Sequence, residues 1–255
     1  MIWTASALRV LIFPLPTATV MDAAHLWSRA VGVPMQSYSQ VPNLPAATQA
    51  SGVIGAEQCV LLSQFGRLEL VFTPVQAATG NGSPPFPPSS LSDLPRVMKA
   101  AISSIKRVGG NVPINRLGLN LEAMITDASA EESAAKLRDE LHLPESLSKA
   151  SDLSFQLNVK RTFGAVPGQM NRLCRWGAVT FQAVQMGFNV GFQQAGPQTP
   201  GVIVTETYGR TFNADLNSVP ELNGSIDPQF QVAMWDALAE EGAALLNGPY
   251  DRLIG

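Results

Sequence analysis

The chain has 255 residues, with 17 Lys+Arg against 20 Asp+Glu for a net charge of -3. That balance speaks against a strongly basic nucleic-acid binder, and the length supports a full hydrophobic core without disulfides or metal. Only 15% of residues are charged, which points to a surface partly covered in an assembly.

Leu8 to Phe13 is a β-branched and aliphatic run that stops at Pro14, the pattern of a strand. Arg9 interrupts it, and no basic segment precedes it, so it is not expected to be a signal peptide. No stretch reaches the length of a membrane helix, so no membrane partner is expected and the setting is read as cytoplasmic. Residues 20–31 follow as a helix, with Thr19 and Asp22 as a capping pair and Val20, Ala24, Trp27 and Val31 as its apolar stripe. A polar loop is expected to run to about Gly55, then a hairpin of Cys59–Ser63 and Arg67–Phe72 around Phe65-Gly66. Four prolines between Ala77 and Ser90 define an exposed loop around Phe86. Leu94, Val97, Met98, Ala101, Ile102 and Ile105 mark one face of a helix over 92–108, capped by Ser92 or Asp93 and closed at Gly109-Gly110.

The second half repeats this order. Leu117, Leu119, Leu121, Ala123 and Ile125 alternate with polar residues as a half-buried strand. Ser129 and Glu132 form a capping box for a helix over 129–142, with Ala134, Leu137 and Leu141 inward. Phe155, Leu157 and Val159 alternate with Gln156, Asn158 and Lys160, and Leu173–Val184 pairs back through Gly164–Gly168. Val202–Thr207 and Thr211–Leu216 are expected to form a hairpin around Tyr208-Gly209, and a last helix over 228–246 opens at Asp227-Pro228 and carries Val232, Trp235, Leu238 and Leu245. Strand–helix–strands–helix order with alternating strands predicts an α+β fold, with antiparallel sheet and helices on one face. The halves, 1–112 and 113–255, are expected to make one continuous domain. Leu117, Leu119, Leu121, Phe155, Leu157, Val159, Trp235 and Leu238 should lie in its core.

The chain has no P-loop, dinucleotide fingerprint, zinc-protease pair, Cys-x-x-Cys or nucleophile elbow. This weighs against an enzyme, and no cofactor or metal is implied. His25 and His142 come without an orienting carboxylate at useful spacing and read as surface residues. Cys174 lies between Arg172 and Arg175, which could activate a thiol, but alternation leaves only Arg172 on its side; Cys59 sits in an apolar strand. One set of residues could bind a ligand: Arg116, Lys160, Arg161, Arg172, Arg175 and Arg210, with Trp176 and Tyr208 interleaved, and Asn120 and Glu122 sharing the sheet face. Cations among aromatics on an open sheet can hold phosphates or stacked bases, whereas an ordinary solvated face needs them only for solubility and cross-strand pairing.

The segment PINRLGLNLEAMI, the helix and long strands after it, and TFNADLNSVPELNGSIDPQFQVAMWDALAEEGAALL together resemble a sporadically distributed bacterial family of unknown function. Arg116, Gly118, Leu119 and Asp215 fall where that family carries an R-x-G-L strand and a late acidic-tipped strand. The resemblance implies a patchy bacterial distribution, as in mobile or defence-related islands, and no particular activity. The low charge, the absent motifs and the exposed apolar loop around Phe86 make a protein partner or homo-oligomer the expected mode of action. Nucleic acid is the alternative partner, and an enzyme with a site assembled only by the fold is the third reading.

Overall fold

In the computed structural model, residues 3–16, 21–42, 44, 46–76, 88–109, 112–147, 150, 153–164, 166–187, 201–220 and 224–254 are described. The first half runs β1 (Ala5–Pro14), α1 (Ala23–Ala30), β2 (Ser37–Gln40), β3 (Thr48–Ile54), β4 (Glu57–Gln64), β5 (Arg67–Pro74) and α2 (Leu94–Gly109). The second runs β6 (Ile114–Asp127), α3 (Ala130–Glu140), β7 (Ser154–Thr162), β8 (Gln169–Gly187), β9 (Gly201–Ser218), α4 (Pro228–Leu245) and α5 (Pro249–Ile254). All nine strands join one sheet in the order β2-β3-β4-β5-β1-β6-β9-β8-β7, and every pairing is antiparallel. The fold is α+β.

The repeated order has a topological counterpart. In each half the first strand lies beside the last, β1 against β5 and β6 against β9, and the halves meet where β1 pairs with β6. β1 and β6 are therefore central strands. Leu8, Val10 and Ile12 of β1 and Leu117, Leu119 and Leu121 of β6 point to one face, and all are buried. Helix α2 packs over β1 and β5, α1 over β3 and β4, α4 over β6 and β9, and α3 over β8 and β9. The core fills the space between these helices and that one face. No described helix packs on the other face.

Several helix signals act as expected. Ser129 caps α3 by accepting from the Glu132 amide at 3.2 Å, while the Glu132 carboxylate reaches back one residue further, to the Ala128 amide. Asp227 caps α4 ahead of Pro228, and Asp93 accepts from the Arg96 amide at the start of α2. Asp22 itself caps α1; Thr19, Val20, Gly110, Pro84, Pro85, Phe86 and Pro87 lie outside the described residues. Trp235 and Leu238 are buried as expected. Val232 is not: it faces solvent, 53% exposed. Phe155, Leu157 and Val159 are half-buried, because β7 is the outermost strand and has neighbours on one side only.

Two strand readings are corrected. The supposed loop before Gly55 contains β2 and β3, whose small residues gave no apolar signal. At Gly52 of β3 the Trp27 ring lies so close that a Cβ would come within 2.8 Å of it. The supposed hairpin at Tyr208-Gly209 is instead the middle of one long strand, β9. Gly209 is there because the Ile125 carbonyl of β6 approaches so closely that a Cβ would meet it at 2.6 Å. β8 and β9 continue together past the end of β6 at Asp127, as far as the Gly187–Gly201 pair.

Candidate functional site

The sequence-selected cations and aromatics do not share one surface. Strand alternation divides them. On β8, Arg172, Cys174 and Trp176 point toward the helices and are buried, whereas Arg175 points to the uncovered face and is exposed. Arg210 on β9 is buried beneath α3; Arg161 at the edge of β7 turns to the helix side; Tyr208 is half-buried and donates to Glu206 at 2.6 Å. Arg116, Lys160 and Arg175 remain on the uncovered face. A common polar face for Arg161, Arg172 and Arg175 is thus corrected: Arg161 and Arg172 belong to the other side of the sheet.

The buried cations anchor helices to strands. Arg210 grips Asp127 through two nitrogens, at 2.8 and 3.3 Å, and its guanidinium lies 3.7 Å from Glu140. Lys136 and Ser133 of α3 reach the same Asp127 carboxylate at 2.9 and 3.1 Å. Burial raises the Asp127 pKa, and the bonds from Arg210 and Lys136 outweigh it, so the carboxyl titrates below its ordinary value. Glu241 on α4 is held by Arg172 at 2.9 Å, Arg161 at 2.8 Å and Arg252 at 3.0 Å. There too burial is outweighed by the arginines, and the pKa falls. Trp176 packs among Phe155, Phe212 and Tyr250 as a core residue. Burial pushes both the Cys174 and Cys59 thiols up to about 12, so neither is a thiolate near neutral pH. His25 is exposed, and His142, at the end of α3, lies 3.5 Å from Asp251. Among the described residues no group of three or more His, Cys, Asp or Glu could hold a metal ion.

The uncovered face carries a groove of ≈ 400 Å³ across β5, β1, β6, β9 and β8. Its floor is Gly118, which has no side chain and lies between Leu11 of β1 and Asn217 of β9 in register. One row of neighbouring residues runs Leu173, Asp215, Asn120, Arg9 and Val71 across five strands. The flanking row at one end runs Arg175, Asn213 and Glu122, and the other end holds Arg116 beside Phe13. Arg9 lies between two carboxylates, Glu69 at 3.4 Å and Glu122 at 2.9 Å, and Arg67 binds the second oxygen of Glu69 at 2.6 Å. Glu69 is only 2% exposed, so Arg9 and Arg67 supply the charge that lets it lie under the groove. The Nε atoms of Arg9 and Arg67 are buried without a hydrogen-bond partner in the structure. Asn120 and Asn213 face each other at 3.2 Å, and Asn217 donates to Asp215 at 3.2 Å.

No family model, curated protein or solved structure matches this chain. The groove must be read from its own residues. Asn120 and Glu122 share the uncovered face with Arg116, as their alternation with Leu117, Leu119 and Leu121 implies. Arg9, Arg67, Glu69, Asn213 and Asn217 come from strands far apart in sequence and were not singled out. Arg9 carried a signal nonetheless: a lone cation within an apolar strand interior needs a partner across the sheet.

Proposed function

We propose that this chain is a non-catalytic binding protein, in a cytoplasmic setting, whose working surface is the uncovered face of its sheet and whose partner is another protein. A single observation carries this reading. A central strand pair of a nine-stranded sheet has every described helix on one side, leaving Phe13 and the groove arginines without a second layer among the described residues. Leu62, Val60, Val71 and Leu173 extend that face as half-buried apolar residues, which a sheet lying fully in water does not require. The low overall charge agrees with a face that is covered in the working assembly.

The test is a photo-crosslinking side chain placed at Asn120, inside the groove, and at exposed Asp236 on α4 as a control. Crosslinks to a protein at Asn120 and not at Asp236 support the reading, and light scattering shows whether that protein is a second copy. A monomer that crosslinks equally at both places, or that turns over a small molecule with Asn120 required, removes it. Nucleic acid draws less support. Of the cations selected for it, only Arg116, Lys160 and Arg175 stay on the uncovered face, and Glu122 and Asp215 stand among them.

A further inference from the structure

We infer that the groove over Gly118 takes an extended acidic segment of a protein partner, with one carboxylate bound by Arg116 and another by Arg175. The inference rests on the uncovered face being the working surface and names the chemistry of what lies there. The argument begins with which charges are already used. Glu69 and Glu122 are taken by Arg9 and Arg67, and Asp215 accepts from Asn217. Arg116 and Arg175 are different. The Arg116 guanidinium stacks 3.9 Å above the Phe13 ring, which fixes its plane while leaving its N–H edge open. Arg175 donates its Nε to Gln156 at 2.7 Å, which orients its two terminal nitrogens in the same way. Neither makes an ion pair with a described residue. Both are held, pre-positioned forks of the kind that recognise a carboxylate through two bonds.

Their placement sets the length of the ligand. Arg175 lies in register with Asn213 and Asn213 with Glu122, six residues along β6 from Arg116. Six strand residues and two strand spacings separate the forks by about 22 Å, close to the span of an eight-residue extended segment. Between them the groove offers Asn120, Asn213 and Asn217, which can bond a peptide backbone in either direction, and the pit at Gly118 admits one small side chain. Asp215, in register with Asn120 in the middle row, disfavours a third acid there, and Glu122 at the Arg175 end is already paired with Arg9. The two carboxylates also disfavour a nucleic-acid strand, which carries a phosphate at every nucleotide and would lay several beside them.

The experiment is fluorescence anisotropy with labelled eight-residue peptides at concentrations up to about 1 mM. One has Glu at both ends and Ser, Thr and Ala between; a second has the same composition with the two Glu adjacent at the centre; an oligothymidylate is the third probe. The end-Glu peptide should bind, and Arg116→Gln and Arg175→Gln should each weaken it about tenfold, as the loss of one charge-assisted pair does. Gly118→Val should weaken it as well without altering the circular dichroism. A Cβ there meets Leu11 only at 3.4 Å, so a side chain can enter the groove without displacing the strands. Failure of the end-Glu peptide to bind, indifference to both arginine substitutions, equal binding of the central-Glu peptide or tighter binding of the oligothymidylate each overturns the inference. If the Asn120 crosslink to a protein persists in that case, only the acidic chemistry is wrong; if it is absent, the broader reading falls with it.

Discussion

Arg172 and Arg175 are three residues apart on one strand and live in different worlds. Arg172 points under α4, where Glu241 neutralises it; Arg175 points into the groove and makes no ion pair with a described residue. Arg210 and Arg116 repeat the contrast on β9 and β6. The two faces of the sheet show what cations do in each place. Beneath the helices each arginine is locked to a buried acid and ties a helix to a strand; on the uncovered face Arg9 and Arg67 support one buried acid and leave two neighbours unpaired. The same residue type is paired with a buried acid beneath the helices, whereas Arg116 and Arg175 on the uncovered face make no ion pair with a described residue.

The largest expected effect comes from breaking the covered side. Arg210→Leu takes one of two cations from the Asp127 carboxylate, whose side chain is 0% exposed, and the facing cation from Glu140, and should lower unfolding free energy by about 4 kcal/mol in urea titration. A loss as small as that of a surface substitution would erase the distinction between the faces. Glu241→Gln should cost somewhat less, about 3 kcal/mol at neutral pH, because the one amide oxygen can still accept from Arg161 and Arg252 while the position that faced Arg172 loses its acceptor. That difference should depend on pH. The folded-state pKa of Glu241 is lowered, so its contribution is fully present above the unfolded value of about 4.3 and disappears as pH falls through the folded one. The gap between wild type and Glu241→Gln should therefore shrink below about pH 4. A gap that stays constant down to acid denaturation would mean that Glu241 acts through shape alone.

Gly209→Ala sharpens the comparison within β9. A Cβ 2.6 Å from the Ile125 carbonyl must push β6 and β9 apart, and a loss of about 2 kcal/mol is expected from thermal unfolding. Were Gly209 a turn residue, an alanine there would not disturb the β6 hydrogen bonds seen by amide exchange. The smallest effect belongs to the uncovered face: Arg175→Ala should change stability by less than about 0.5 kcal/mol. A larger loss would show that the groove arginines also serve the fold.

The elements were legible where their signals are local. α2, α3 and α4 follow from apolar spacing and capping residues, and β6 and β7 from strict alternation, because those patterns depend on neighbours within a few residues. β3 was not legible. Its Gly52 answers to Trp27, twenty-five positions away, and nothing in the local sequence states that a ring will lie there. Gly209 was read as a turn for the same reason: a glycine that admits a neighbouring backbone and one that reverses the chain look alike in one dimension.

The α+β class, the repeated order of the two halves and the core faces of the central strands follow from contiguous residues, since hydrophobic alternation and helical period are local properties. From the same alternation it follows that Asn120 and Glu122 face away from Leu119 and Leu121. Only the tertiary structure decided that β1 and β6 pair, and with them that Arg9 meets Glu122 and Glu69. The groove depends on that pairing, because its residues come from five strands and converge through antiparallel register. Register is set by which faces the helices bury, a decision taken by the whole chain at once.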